Sequence, residues 1–222
     1  MTFQRARRPE QVQARRAAIL ETAAAMLAER PVADISLREL ADRVGLAKSN
    51  VLRYFDSREA IFLEVLDGAW RAWLDDVEAD LRALAVGGGE YARETAVGRA
   101  VAASVTRHRL LCELMSTMGG VLERNISQEF ARVFKRRAVG NTARLAELVT
   151  RELPGLSPER ATHFAGAVLV LVAGLWPYAN PTDEVAAVTA EMGMPHGGDL
   201  FTTGLSDGLV YQLIGLTAAP GR

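Results

Sequence analysis

The chain has 222 residues with 26 basic and 27 acidic side chains, a formal net charge of −1 that excludes a protein coating nucleic acid by bulk charge. With 49% apolar and 24% charged residues it has the composition of a folded globular protein, and its single cysteine, Cys112, excludes an internal disulfide framework and suits a reducing compartment. No apolar stretch follows the arginines near the start, and the longest apolar run, Phe164 to Trp176, has 13 residues against the roughly 20 needed to cross a bilayer, so a cytoplasmic chain without membrane contact is expected.

Apolar positions recur at helical spacing almost throughout, and sustained period-2 alternation is lacking, so the expected fold class is all-α. The first helix presents Ile19, Ala23, Met26 and Leu27 on one face and stops at Arg30, because Pro31 cannot continue it. Ser36, with Glu39 three residues on, forms a capping box that opens a second helix with Leu37, Leu40, Ala41 and Val44 inward. Gly45 ends that helix. A third short helix is predicted from about Ala47 to Phe55, with Val51, Tyr54 and Phe55 on its inner face. Asp56 and Glu59 repeat the capping-box spacing and start a long amphipathic helix through Ile61, Trp73 and Leu84, broken at Gly87-Gly88-Gly89. At about 1.5 Å per residue this helix is roughly 40 Å long, enough to connect two lobes. Further helices are predicted near 90–105, 108–123, 127–152, 157–178, 183–192 and 199–217, cut at positions such as Pro154-Gly155 and Asn180-Pro181. The expected architecture is a three-helix unit over residues 1–56 and a larger helical bundle over 57–222, about nine to ten helices in all.

Charge follows the same division. Residues 1–58 hold 11 basic and 7 acidic groups, and residues 59–222 hold 15 and 20. Only the first segment has a sign that suits phosphate. Within it, two short helices broken by Gly45 have the spacing of a helix-turn-helix, and the glycine supplies the positive φ that the turn requires. Leu40, Val44, Val51 and Phe55 would pack inward, leaving Lys48, Ser49, Asn50, Leu52 and Arg53 on an outer face that is mostly polar and short enough for a major groove. Lys48 suits guanine O6 and N7, Asn50 suits adenine N6 and N7, and arginines suit phosphate. Lysine occurs only at 48 and 135, so Lys48 stands out from the background composition. The competing reading is an amphipathic helical hairpin with a solvated face.

Residues 15–65, and above all Gly45-Leu-Ala-Lys-Ser-Asn-Val-Leu-Arg-Tyr-Phe-Asp-Ser-Arg-Glu-Ala-Ile61, resemble the tetracycline-repressor (TetR) family of transcriptional regulators. Behind residue 65 only the all-α layout is similar. The resemblance implies that Arg38, Lys48, Ser49 and Asn50 lie in or beside the groove, that Tyr54 holds a phosphate, and that Arg53 and Arg58 flank the DNA backbone. Leu52 departs from the family, which commonly places an aromatic there; a leucine would contact a thymine methyl instead. Arg5, Arg7 and Arg8 would form either a phosphate-tracking arm or a solvated tail.

The resemblance also implies a homodimer joined through its last two long helices, here those near 157–178 and 199–217. The pair would read an inverted-repeat operator in double-stranded DNA, usually to repress, and would respond to a small-molecule effector not identified by the sequence. Ala165, Gly166, Gly174, Gly204 and Gly208 would let the helix backbones approach closely. An effector pocket among the helices from 57 to 178 would be lined by Trp70, Trp73, Met115, Met118, Phe130, Phe134, His163, Phe164, Trp176 and Tyr178, although core packing is the competing reading for each. Lys135-Arg136-Arg137 reads as a solvated face. Gly204-Leu-Ser206-Asp-Gly208 matches the nucleophile-elbow string, but no histidine follows it and it falls in an apolar helix, so no enzyme is expected. No zinc spacing or phosphate-binding loop is present and no cofactor is implied. The alternative is a DNA-binding regulator with no small-molecule effector, whose second domain serves dimerisation or a protein partner.

Overall fold

Local sequence signals start and stop most of the helices in this computed structural model, which describes residues 9–219. Helix α1 (Pro9–Glu29) buries Ile19, Ala23, Met26 and Leu27 and ends two residues before Pro31. After a 3-10 turn (Val32–Asp34), Ser36 Oγ accepts the Glu39 backbone N–H and starts α2 (Leu37–Val44). Gly45 terminates α2 at φ 73°, and the Leu46 N–H reaches back to the Ala41 carbonyl at 2.9 Å. A side chain with a Cβ is strained in that left-handed conformation, so glycine sets the corner between α2 and α3.

Two local expectations are corrected. The third helix is regular only over α3 (Lys48–Val51); beyond it the chain continues to Phe55 in mixed turns, with Arg53 N–H on the Asn50 carbonyl and Tyr54 N–H on the Val51 carbonyl. Ser57 rather than Asp56 caps α4 (Arg58–Arg82), its hydroxyl accepting from Ala60 N–H at 3.1 Å. Asp56 instead accepts from the Ser127 hydroxyl, far along the chain.

The body comprises α5 (Ala92–Thr106), α6 (Arg109–Met118), a 3-10 turn (Leu122–Arg124), α7 (Gln128–Glu152), α8 (Pro158–Ala179), α9 (Asp183–Glu191) and α10 (Gly197–Ala218). No strand occurs among the described residues, and the fold is all-helical as the spacing predicts. Helix α4 runs through the middle, packed on α1, α5, α6 and α7, with Phe62, Leu66, Trp70, Trp73 and Val77 buried. Each of these side chains contributes about 1.5–3 kcal/mol by leaving water. The Trp73 indole N–H donates to Ser104 Oγ at 2.9 Å, and that hydroxyl donates to the Val101 carbonyl, so this deep polar pair is satisfied. Cys112 is fully buried, and burial pushes its thiol up to about 12, leaving it unreactive at neutral pH.

Helix α10 lies against α5 and α8. Gly98 permits the first contact, because a Cβ there would stand 3.0 Å from the Val210 Cα and N. Gly204 and Gly208 face Leu175 and Leu171 within the same chain, so they serve the α8–α10 packing inside the protomer, while Gly166 and Gly174 have open space before them. Helix α8 has the length and apolar content of a membrane span, with 33% of its most apolar window buried. Its buried side, including Phe164, Val168, Val172 and Trp176, packs on α6, α7 and α10.

Candidate nucleic-acid interface

The turn at Gly45 presents α3 at the surface. Lys48, Ser49 and Arg53 are exposed, Asn50 is half-buried, and Leu52 is 42% exposed. Val51 and Phe55, by contrast, are buried against the core. Lys48 and Arg53 have no carboxylate partner among the described residues. Arg38, on the neighbouring helix, has its side chain 88% exposed and makes only a loose contact with Asp42 at 4.0 Å. One short surface therefore carries three cations and several hydrogen-bonding groups that the protein leaves largely available.

Tyr54 is half-buried, borders a surface hollow with Gln11, Arg15 and Ala18, and gives its carbonyl oxygen to Arg16. Arg58 stands apart from the other expected contacts. Its guanidinium donates to the Ile35 carbonyl at 2.8 Å and to Glu59 at 2.9 Å, and lies over the Phe62 ring. Those contacts tie it to the junction instead of holding it out toward a phosphate. Arg5, Arg7 and Arg8 lie outside the described residues.

The junction itself was not visible in the sequence. Arg16 of α1 donates to the Tyr54 carbonyl, pairs with both Glu64 carboxylate oxygens at 2.6 and 2.7 Å, and stacks 4.2 Å from the centre of the Phe55 ring. Buried Glu59 accepts from Arg58 on one side and from Asn125, in the α6–α7 loop, at 3.1 Å on the other. With Ser127 on Asp56, this loop thus holds the start of α4 at two points. Glu64 and Asn125 lie 48 and 66 residues from their partners, and no periodicity relates them.

Residues 19–65 match the family model described as bacterial regulatory proteins, tetR family, and residues 67–220 match the tetracyclin repressor-like C-terminal domain. The chain belongs to the TetR family of transcriptional regulators. Members of this family bind operator DNA as dimers and take small-molecule effectors. A 53-residue stretch is 45% identical to the HTH-type transcriptional regulator EthR of Mycobacterium tuberculosis, covering 24% of each chain. A 74-residue stretch is 32% identical to the HTH-type transcriptional repressor KstR2 of Rhodococcus jostii, covering 33% of this chain and 34% of that one. These similarities span about a quarter to a third of the relatives. Among solved structures, a TetR variant from Acinetobacter baumannii bound to minocycline superposes with TM-score 0.55 and 15% identity, covering 93% of this chain and 97% of that one. FadR from Bacillus subtilis bound to stearoyl-CoA superposes with TM-score 0.54 and 14% identity, covering 89% and 97%. At such identities the likeness concerns the fold.

In this TetR-family chain the residues expected to line an effector pocket divide. Trp70, Trp73, Met115, Phe134 and Phe164 are buried in the core, Trp176 is nearly so, and Met118 and Phe130 pack beside them. Trp176 donates its indole N–H to Glu113 at 3.0 Å and meets Phe201 edge-on. The Trp70 indole N–H alone among these is buried without a hydrogen-bond partner among the described residues. His163 and Tyr178 are corrected: both face outward from α8, Tyr178 at 64% exposure. Helix α8 is apolar nearly all round, so its sequence does not disclose which side faces the core. Ser206 lies midway along α10 rather than on a strand-to-helix turn, which removes the geometry a nucleophile elbow needs. Among the described residues no group of three or more His, Cys, Asp or Glu side chains is placed to hold a metal.

Proposed function

We propose that this chain is a transcriptional repressor whose homodimer binds an inverted-repeat operator and is released by a small-molecule effector, with the DNA-binding unit ending at Asp56. The observation that carries the reading is the outer face of α3, where Lys48, Ser49 and Arg53 stand exposed beside Arg38. Lys48 and Asn50 would read base edges, Leu52 a thymine methyl, and Arg53, Tyr54 and Arg38 the phosphates.

An exposed stripe supports dimerisation. On α8 the outward residues His163, Val170, Gly174 and Tyr178 recur at helical spacing, as do Leu200, Asp207 and Tyr211 on α10. Val170 is 72% and Tyr211 69% exposed, an expensive state for two apolar helices unless a partner covers them. Two copies joined there would place their recognition helices about one DNA turn, 34 Å, apart.

Effector release is supported by the minocycline and stearoyl-CoA that occupy two structural neighbours and by the orphaned Trp70 N–H, a group that an effector or a water would satisfy. A ligand that favours one setting of α4 would move the DNA-binding unit, because Arg16 ties that unit to Glu64 of α4 and Asp56 ties it to Ser127 beyond the α6–α7 loop. The tight burial of Trp73, Met115 and Phe134 favours the second reading, a regulator without a small-molecule effector. Operator footprinting followed by a ligand screen separates the two. A protected inverted repeat that a ligand abolishes fits the first, protection that no ligand alters fits the second, and an absence of any protected repeat defeats both.

A further inference from the structure

A crevice of about 570 Å³ opens between the C-terminal end of α1 and the α5–α6 corner. This volume is within the roughly 300–1,000 Å³ of small-molecule sites. Its floor is aliphatic, with Leu27 from the end of α1, Pro31 just beyond it, Ala69 from α4 and Leu110 from α6. Its rim is cationic, with Arg30, Arg107 and Arg109 set against Glu29 and Glu113.

The charges on this rim are unequally matched. Arg30 is held by Glu39, Arg107 by Asp80, and Glu29 by Arg43, while Glu113 accepts the Trp176 indole N–H at 3.0 Å. Arg109 is exposed, has no carboxylate partner among the described residues, and lies 5.7 Å from the centre of the Trp176 ring. It is also the first residue of α6, where His108 provides no side-chain cap and the first turn holds no acid. A cation there adds to the positive end of the helix, and an anion would relieve both. An apolar floor and an exposed, unpaired cation at its rim favour a ligand with an apolar body and one negative head.

We propose that this crevice binds an amphipathic monoanion, its body on Leu27, Pro31 and Ala69 and its carboxylate at Arg109. One wall belongs to the DNA-binding unit and the other to the body, so an occupant would fix their spacing. This regulatory consequence, though not the site itself, rests on the effector reading above.

Decanoate, decanamide and decylammonium, titrated by calorimetry into the full-length operator-free protein, test the site. Decanoate is expected to bind saturably, one per protomer, and decanamide on the order of tenfold more weakly, because a charge-assisted pairing is lost. Ala69→Phe, which fills the floor, and Arg109→Gln are each expected to weaken decanoate by about tenfold or more, with Arg109→Lys retaining most of the affinity. Thermal melts of the variants check that the fold is intact. Absence of decanoate binding, preference for decylammonium, or an affinity that Arg109→Gln leaves unchanged would overturn the proposal. Operator affinity is measured separately with and without saturating decanoate. Weaker operator binding supports both the site and its regulatory role, whereas unchanged operator binding supports the site and denies it that role.

Discussion

Arg16 grips both carboxylate oxygens of Glu64, at 2.6 and 2.7 Å, and so fastens α1 to α4. The same guanidinium reaches the Tyr54 carbonyl at the end of the recognition segment. One side chain therefore joins the first helix, the turn that follows α3 and the long central helix.

Breaking that pair should disturb both stability and DNA binding. Both side chains are partly shielded, at 27% and 15% exposure, so the pair falls between a surface ion pair and a buried one. Glu64→Gln is expected to lower unfolding free energy by roughly 1–3 kcal/mol in a urea titration, and to weaken operator binding as the recognition segment loses its anchor. A double-mutant cycle with Arg16→Gln should show coupling of about 1 kcal/mol or more. Additive losses would mean that the two side chains act independently.

The recognition face predicts a split between specific and general binding. Lys48→Ala should cost about 1–3 kcal/mol on the operator, relax one base position and leave random DNA nearly unaffected. Arg53→Ala should weaken all sequences alike and lower the salt slope by about one for each protomer. Fluorescence anisotropy across a salt series on both DNAs checks this. Equal losses for Lys48→Ala on operator and random DNA would deny it a base-reading role.

The outward stripe predicts what holds two copies together. Val170→Glu places a charge at the middle of the exposed face of α8 and should yield monomers at micromolar concentration by light scattering, with helical content unchanged. Operator affinity should fall with it, since half-sites would then be bound singly. A dimer that survives both Val170→Glu and Tyr211→Glu would place the interface elsewhere.

Gly98 sets two effects against each other. Alanine is favoured over glycine inside a helix by about 1 kcal/mol, yet its methyl would press on the Val210 backbone at 3.0 Å, where overpacking costs about 1–3 kcal/mol. Gly98→Ala is therefore expected to lower the melting temperature despite its better propensity. A raised melting temperature would show that α10 can shift to make room.

Features that depend on nearby residues were legible in the sequence. Ser36 and Gly45 announced α2 because a cap and a left-handed corner are chosen within four residues of the sites they serve. Asp56 and Ser57 are both good capping residues, and what separated them lies 71 residues away, where Ser127 claims the aspartate. The outer face of α3 could be read from its polarity, whereas the inward commitment of Arg58 to the Ile35 carbonyl could not. Periodicity fails on α8, where apolar residues surround the helix and His163 turned out to face away from the core. The crevice beside α1 was equally hidden, because its walls come from three stretches of chain with no shared motif.

The length of α4 carries a mechanical consequence. Its 25 residues make a stiff rod of about 37 Å. A tilt of about 5° about the far end would sweep Arg58 through roughly 3 Å, and two such rods leaning apart in a dimer would open the gap between their tips by about 6 Å. That is a sizeable error against a groove repeat of about 34 Å. A rearrangement too small to disturb the packing around Trp73 would thus be magnified by leverage into a misfit with DNA.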